Sequence, residues 1–161
     1  MKKEDIKDFV QSIIIGFILA LVISLFIRPI KVVGQSMENT LSDGQRLFVF
    51  RQAYIGEKIP ENNDIVVVDT DKFGQPKKII KRVIAVEGQS IEIKGSSVYV
   101  DGELLKETYI KEEMNPEWDI EIEKIPEGKL FIMGDNRNNS GDRRQIGLVD
   151  EKDIYGKVIG Y

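Results

Sequence analysis

Residues 9–27 read FVQSIIIGFILALVISLFI, 19 consecutive residues without a charge. A helix needs ~20 apolar residues to cross the hydrocarbon core of a bilayer, where its backbone polar groups must be satisfied internally. Gln11, Ser12, Gly16 and Ser24 are the only non-apolar residues in the run, and no polar face recurs at helical spacing. That pattern speaks against a buried helix of a soluble domain. Arg28-Pro29 ends the run sharply. A cleaved secretory signal is a poorer match, because the stretch is long for one and no A-x-A-like site follows it. The expectation is an uncleaved transmembrane signal-anchor helix over 9–27, a short N-terminus over 1–8 and a folded domain over 28–161. Lys2, Lys3 and Lys7 precede the span while Arg28 and Lys31 follow it, so the charge bias on orientation is weak.

Two absences narrow the chemistry. With no Cys, no disulfide, thiolate nucleophile or Cys-ligated zinc is possible. With no His, a Ser-His-Asp triad and every His-based metal site within the chain are excluded. Any proton transfer must use Asp, Glu, Lys or Tyr. No cofactor and no metal is expected. The net charge is −4, and a mildly acidic chain argues against nucleic acid as the main partner.

Beyond the anchor the pattern is that of strands. RLFVF (46–50), DIVVV (64–68), KIIKRVIAV (78–86), KLFIM (129–133) and IYGKVI (154–159) are rich in branched and aromatic residues. SIEIK (90–94) and SVYV (97–100) alternate apolar and polar residues. Asp101-Gly102 before Glu103-Leu104-Leu105 signals a hairpin turn. Residues 112–127 are acidic and read as a solvated surface, with Trp118 as a core residue of a small lobe over about 89–128 or, less in keeping with its type, a surface anchor.

Three segments can carry chemistry: VVGQSMENTL (32–41), IIKRVIAVEG (79–88) and MGDNRNNSGDRR (133–144). Lys81 is the informative residue. Ile79, Ile80, Val83 and Ile84 can bury its stem, burial lowers an amine's pKa, and a neutral lysine can serve a serine as base. The strand alone favours a simpler reading, a lysine on a polar face with its amine in water.

Together, in order and spacing, the three segments resemble the conserved boxes of type I signal peptidases, the serine peptidase family of bacterial leader peptidases, in its compact Gram-positive form. GDNRNNS with Asp142 and Arg144 is the strongest part, then KRVIAVEG, then SMENTL against the family's S-M-x-P-T-L. The resemblance implies a mainly β catalytic domain of the signal peptidase/SOS-repressor protease type with a small inserted β lobe. It implies Ser36 as nucleophile, Lys81 as general base, Ser140 as the serine that orients the lysine amine, and Asp142 and Arg144 as a pair holding the site together. Ordinary loop chemistry would explain the last three equally well. Val32, Val33, Met37, Leu41, Ile79 and Ile80 match positions lining the substrate pockets, which accept small side chains of the Ala-x-Ala type; the same residues could be plain core. The implied partners are the signal peptides of exported preproteins and the lipid bilayer. The implied location is the cell membrane, single-pass, with the N-terminus cytoplasmic and the domain extracytoplasmic.

Three positions depart from the boxes. Gly34 has no side chain where some members supply an oxyanion donor. Arg143 stands where serine is usual. Asn39 replaces a proline, so Asn39→Pro is expected to be tolerated if Asn39 has φ near −65° and its N–H is not bonded in the fold. A non-catalytic relative assisting pilus or surface-protein assembly, and a self-cleaving SOS-type repressor, are the alternatives. Ser36 and Lys81 speak against the first. The anchor, and the lack of a helix-turn-helix ahead of the protease domain, speak against the second.

Overall fold

The computed structural model describes residues 3–56, 58–70, 78–116, 119–140 and 147–161. Helix α1 (Lys3–Phe26) comes first, and its residues 5–26 are long and apolar enough to cross a membrane. The side chains of that stretch are exposed throughout, so the apolar surface finds no cover among the described residues. Its two hydroxyls turn inward: Ser12 Oγ donates to Asp8 O at 2.9 Å and Ser24 Oγ to Leu21 O at 2.7 Å. A polar group in an apolar surrounding needs such a partner. Pro29 cannot continue the helix and holds Arg28 extended. Ile27, expected to close the span, therefore opens a strand and pairs with Phe50.

Eleven strands follow in the described residues: β1 (Ile27–Lys31), β2 (Arg46–Phe50), β3 (Ile65–Asp69), β4 (Lys78–Ala85), β5 (Ile91–Lys94), β6 (Ser97–Val100), β7 (Glu103–Leu104), β8 (Asp119–Ile122), β9 (Lys129–Met133), β10 (Gly147–Asp150) and β11 (Ile154–Ile159). Seven form an antiparallel sheet in the order β1-β2-β11-β3-β4-β9-β10, and the other four form a second sheet, β7-β6-β5-β8, inserted between β4 and β9. The chain is mainly β with one N-terminal apolar helix, the expected class. Pro29 is tolerated because β1 lies at a sheet edge. At the β6–β7 turn Asp101 and Gly102 have φ of 52° and 78°, the positive values a two-residue hairpin loop requires.

Not every strand was anticipated. β8 lies in the acidic segment read as plain surface; Ile120 and Ile122 pack on the small-sheet core while Asp119 and Glu121, which alternate with them, are exposed. The D-I-E-I alternation is the period-2 signal that the density of charge obscured. Trp118 lies outside the described residues.

β3 shows why its sequence is a continuous apolar run. Ile65 and Val67 pack with Val32, Met37, Leu41 and Leu47 on one side, and Val66 and Val68 pack with Val83, Leu130 and Ile132 on the other. A strand covered on both faces has no polar alternation to show. A third cluster joins Ile84, Phe131 and Met133 of the large sheet to Ile91, Ile93 and Val98 of the small one, so the insert shares its core with the sheet that carries Lys81.

Candidate active site

Ser36 lies on the loop from β1 to β2. The loop turns tightly after it: Leu41 N–H donates to Met37 O at 2.7 Å and Thr40 N–H to the same oxygen at 3.1 Å. Met37 and Leu41 are buried in the core below and pin the turn, while Ser36 stays half-buried at the surface. Gly34 has φ +91° and donates its N–H to Asp43 Oδ1 at 2.8 Å. The backbone conformation, rather than crowding, favours glycine there, because a Cβ would meet open space.

β4 carries Lys81 and Arg82 side by side, pointing to opposite faces. Lys81 has no solvent exposure. Its Nζ donates to the carbonyl of Ser140 at 3.3 Å. Burial lowers its pKa to about 8, and the Asp135 carboxylate partly opposes the shift. Arg82 meets Asp135 with two prongs, Nε to Oδ1 at 2.9 Å and Nη2 to Oδ2 at 2.7 Å. Asp135 also accepts from Thr40 Oγ1, four residues beyond Ser36. This Arg82–Asp135–Thr40 link was not anticipated. A signal existed: an arginine in a strand buried on both faces must find a carboxylate, and Asp135 is the acid of the third box that opens GDNR.

The third box leaves β9 at Met133 and doubles back onto the Ser36 loop. Asn136 N–H donates to Ser36 O at 3.1 Å and its Nδ2 to Gln35 O at 3.0 Å. Asn139 Nδ2 reaches Gln35 Oε1 at 3.1 Å. A Cβ on Gly134 would overlap Ser140 Oγ and Ser36 O, so the loops close only over glycine. Ser140 is buried, and its Oγ has no hydrogen-bond partner among the described residues; the contact to Lys81 runs through its carbonyl. Asp142, Arg143 and Arg144 lie outside the described residues.

A cleft of about 470 Å³ opens beside Ser36, lined among others by Val32, Val33, Met37, Ile79 and Ile80. Leu41, grouped with them from the sequence, lies in the core instead.

Residues 6–160 match the family described as signal peptidase, peptidase S26. The chain belongs to this family. Signal peptidase I of Bacillus licheniformis is 37% identical over 96% of this chain and 87% of its own length. Signal peptidase I of Bacillus amyloliquefaciens is 40% identical over 96% and 84%. Signal peptidase IB of Staphylococcus aureus (strain COL) is 33% identical over 97% and 88%. The crystal structure of a signal peptidase I from Enterococcus faecalis V583 matches with a TM-score of 0.51 at 26% identity, covering 63% of this chain and 98% of that one. The chain is thus a serine endopeptidase of the signal-peptide-removing class, as the three boxes led us to expect, and the non-catalytic alternative is not favoured.

In this peptidase the departure at Asn39 changes the backbone. Asn39 has φ +86°, and its Nδ2 donates to Tyr109 O and Ile110 O at 3.3 and 3.4 Å. The condition set for tolerating proline at 39 is not met, because a pyrrolidine ring holds φ near −65°.

Proposed function

We propose that Ser36 and Lys81 are the nucleophile and general base with which this peptidase cuts exported preproteins after small residues. One observation carries the reading. A lysine without solvent exposure, its pKa lowered to about 8, follows directly on the cleft-lining Ile79 and Ile80. Burying an ammonium is unfavourable, and a structural role would be served as well by an apolar residue.

Ser36 Oγ passes its proton to Lys81 Nζ as it bonds to the scissile carbonyl carbon. The C–N bond then breaks as the Lys81 ammonium protonates the leaving amine. A water gives a proton to Lys81 as it attacks the acyl ester, and the Lys81 ammonium returns that proton to Ser36 Oγ as the ester C–O bond breaks. The Ser36 N–H is the first donor for the oxyanion. Ser140 holds the amine through its carbonyl, and its unpartnered Oγ is the further group available to orient it. The aliphatic walls of the cleft make shallow pockets suited to alanine on the substrate. Helix α1 anchors the chain in the membrane with its N-terminus cytoplasmic, placing the domain where signal peptides emerge.

The test is cleavage of a preprotein by detergent-solubilised Ser36→Ala, Lys81→Ala and the double variant. Each single variant should fall to background with its fold retained, and the double should be no worse, since the two act as a unit. Substantial activity in Lys81→Ala would refute the pair.

A further inference from the structure

Residues 105–115, between β7 and β8, belong to none of the three boxes and do not line the cleft. They nonetheless run across both loops of the site. Toward the Ser36 loop, the carbonyls of Tyr109 and Ile110 hold Asn39, and Lys111 Nζ pairs with Glu38 at 2.8 Å. Toward the third box, Lys111 N–H donates to Asp135 O at 3.3 Å and Asn115 N–H to Asn138 Oδ1 at 2.8 Å.

Glu107 is the buried centre of this strap. Its side chain is 7% exposed and that of its partner Arg137 1%. The two groups meet fork to fork, with Arg137 Nη1 on Oε2 at 2.6 Å and Nη2 on Oε1, the geometry that fixes orientation best. Two routes leave the pair. Arg137 Nε donates to Gly134 O at 3.1 Å, and Gly134 is the residue over which Ser36 O and Ser140 Oγ close. Tyr109 OH donates to Glu107 Oε1 at 2.9 Å, and its ring lies 3.9 Å from the Arg82 guanidinium carbon. Arg82 in turn holds Asp135, which holds Thr40.

We infer that Glu107 is a positioning residue for the peptidase reaction, acting through Arg137 and Tyr109 to keep the Ser36 loop and the third box in register. The inference rests on the reading of Ser36 and Lys81 given above. A buried ion pair adds little net stability compared with apolar residues of similar shape. What the fork supplies is a fixed distance between two loops that must agree within a fraction of an ångström.

The test uses the full chain in detergent on one preprotein, with kcat and KM separated and thermal unfolding followed alongside. Glu107→Gln keeps the shape and removes the charge and one acceptor. We expect kcat to fall ~10–100-fold, as small misplacements of catalytic groups do, with KM nearly unchanged because the strap does not line the cleft. Glu107→Leu combined with Arg137→Met replaces the pair by apolar residues. This variant should recover the wild-type melting temperature yet keep the low kcat, because Gly134 O has lost its donor. A wild-type kcat in either folded variant overturns the positioning role, as does a loss confined to KM. Ser36→Ala separates the two readings. If it is active, the dyad itself is wrong; if it is inactive while Glu107→Gln is fully active, only the role of Glu107 is lost.

Discussion

A lysine that acts as base must shed its proton near working pH, and at Lys81 burial lowers the pKa to about 8. The neutral amine is the competent form, so kcat/KM should rise with pH, reach half its plateau near pH 8 and level off above. With no His in the chain, no imidazole can produce that limb, and a profile flat from pH 5 to 9 would count against lysine as the base. The same shift acts on stability. The unfolded lysine keeps its proton up to ~10.4, so between about pH 8 and 10.4 the unfolded state binds more protons. Stability therefore rises with pH across that window, and the cost of the buried ammonium is full below it. Lys81→Met should be inactive and, in urea melts at pH 7, more stable by up to ~3 kcal/mol, with the gain shrinking toward pH 10. A gain that stays constant from pH 7 to 10 would contradict the depressed pKa. Asn39 gives a second prediction at this scale. Its φ of +86° makes Asn39→Pro destabilising by ~2 kcal/mol or more, whereas Asn39→Gly should stay within ~1 kcal/mol. Equal melts for the two variants would show that the loop does not hold this conformation.

Among the elements, β4 and the turn after β9 determine the site. β4 is flanked by β3 and β9, which holds Lys81 opposite Val66 and Arg82 opposite Ile65 and Met133. Lys81 is fully buried there and Arg82 nearly so. The turn after β9 is limited by Gly134, where any Cβ would overlap a backbone oxygen of the Ser36 loop as well as Ser140 Oγ. Gly134→Ala should therefore separate the two loops. We expect kcat to drop by ~100-fold and stability to fall by ~1–3 kcal/mol, read from steady-state kinetics and a denaturant melt. An alanine variant with wild-type kcat would show that the loops close with more slack than this packing implies.

For the whole molecule, α1 and the β domain meet through few bonds among the described residues: Arg51 N–H donates to Phe26 O at 3.0 Å and Gln52 Nε2 to Leu25 O at 3.2 Å. No side chain of the span is buried against the sheets. Deleting residues 1–26 should leave the melting temperature of the domain within a few degrees while abolishing most co-flotation with lipid vesicles. A domain that fails to fold without the helix would show that the two are coupled. The small sheet is different. It shares one core with the large one, and through residues 105–115 it reaches the Ser36 loop and the third box, so it is not a detachable ornament.

What the sequence alone determined was local or covalently adjacent. The apolar span, the strands with two-residue alternation or continuous branched runs, the Asp101-Gly102 turn and the three boxes are each legible within one short continuous segment. Ser36 and Lys81 stood out as candidates through their boxes, but the groups that meet them, Asn136 at the Ser36 carbonyl and Ser140 at the Lys81 amine, come from the third box far along the chain. The tertiary structure decided what depends on distant pairs. Arg82 meets Asp135 across 53 residues, Glu107 meets Arg137 across 30, and Asn39 meets Tyr109 across 70. Leu41, one side chain among several aliphatic candidates for the cleft, turned into the core because the turn after Ser36 rotates it there. β8 was hidden by charge, since its apolar residues gain cover only when β5 lies alongside. Burial and partnership are properties of the packed chain, and a residue's type states its needs without naming which distant group will meet them.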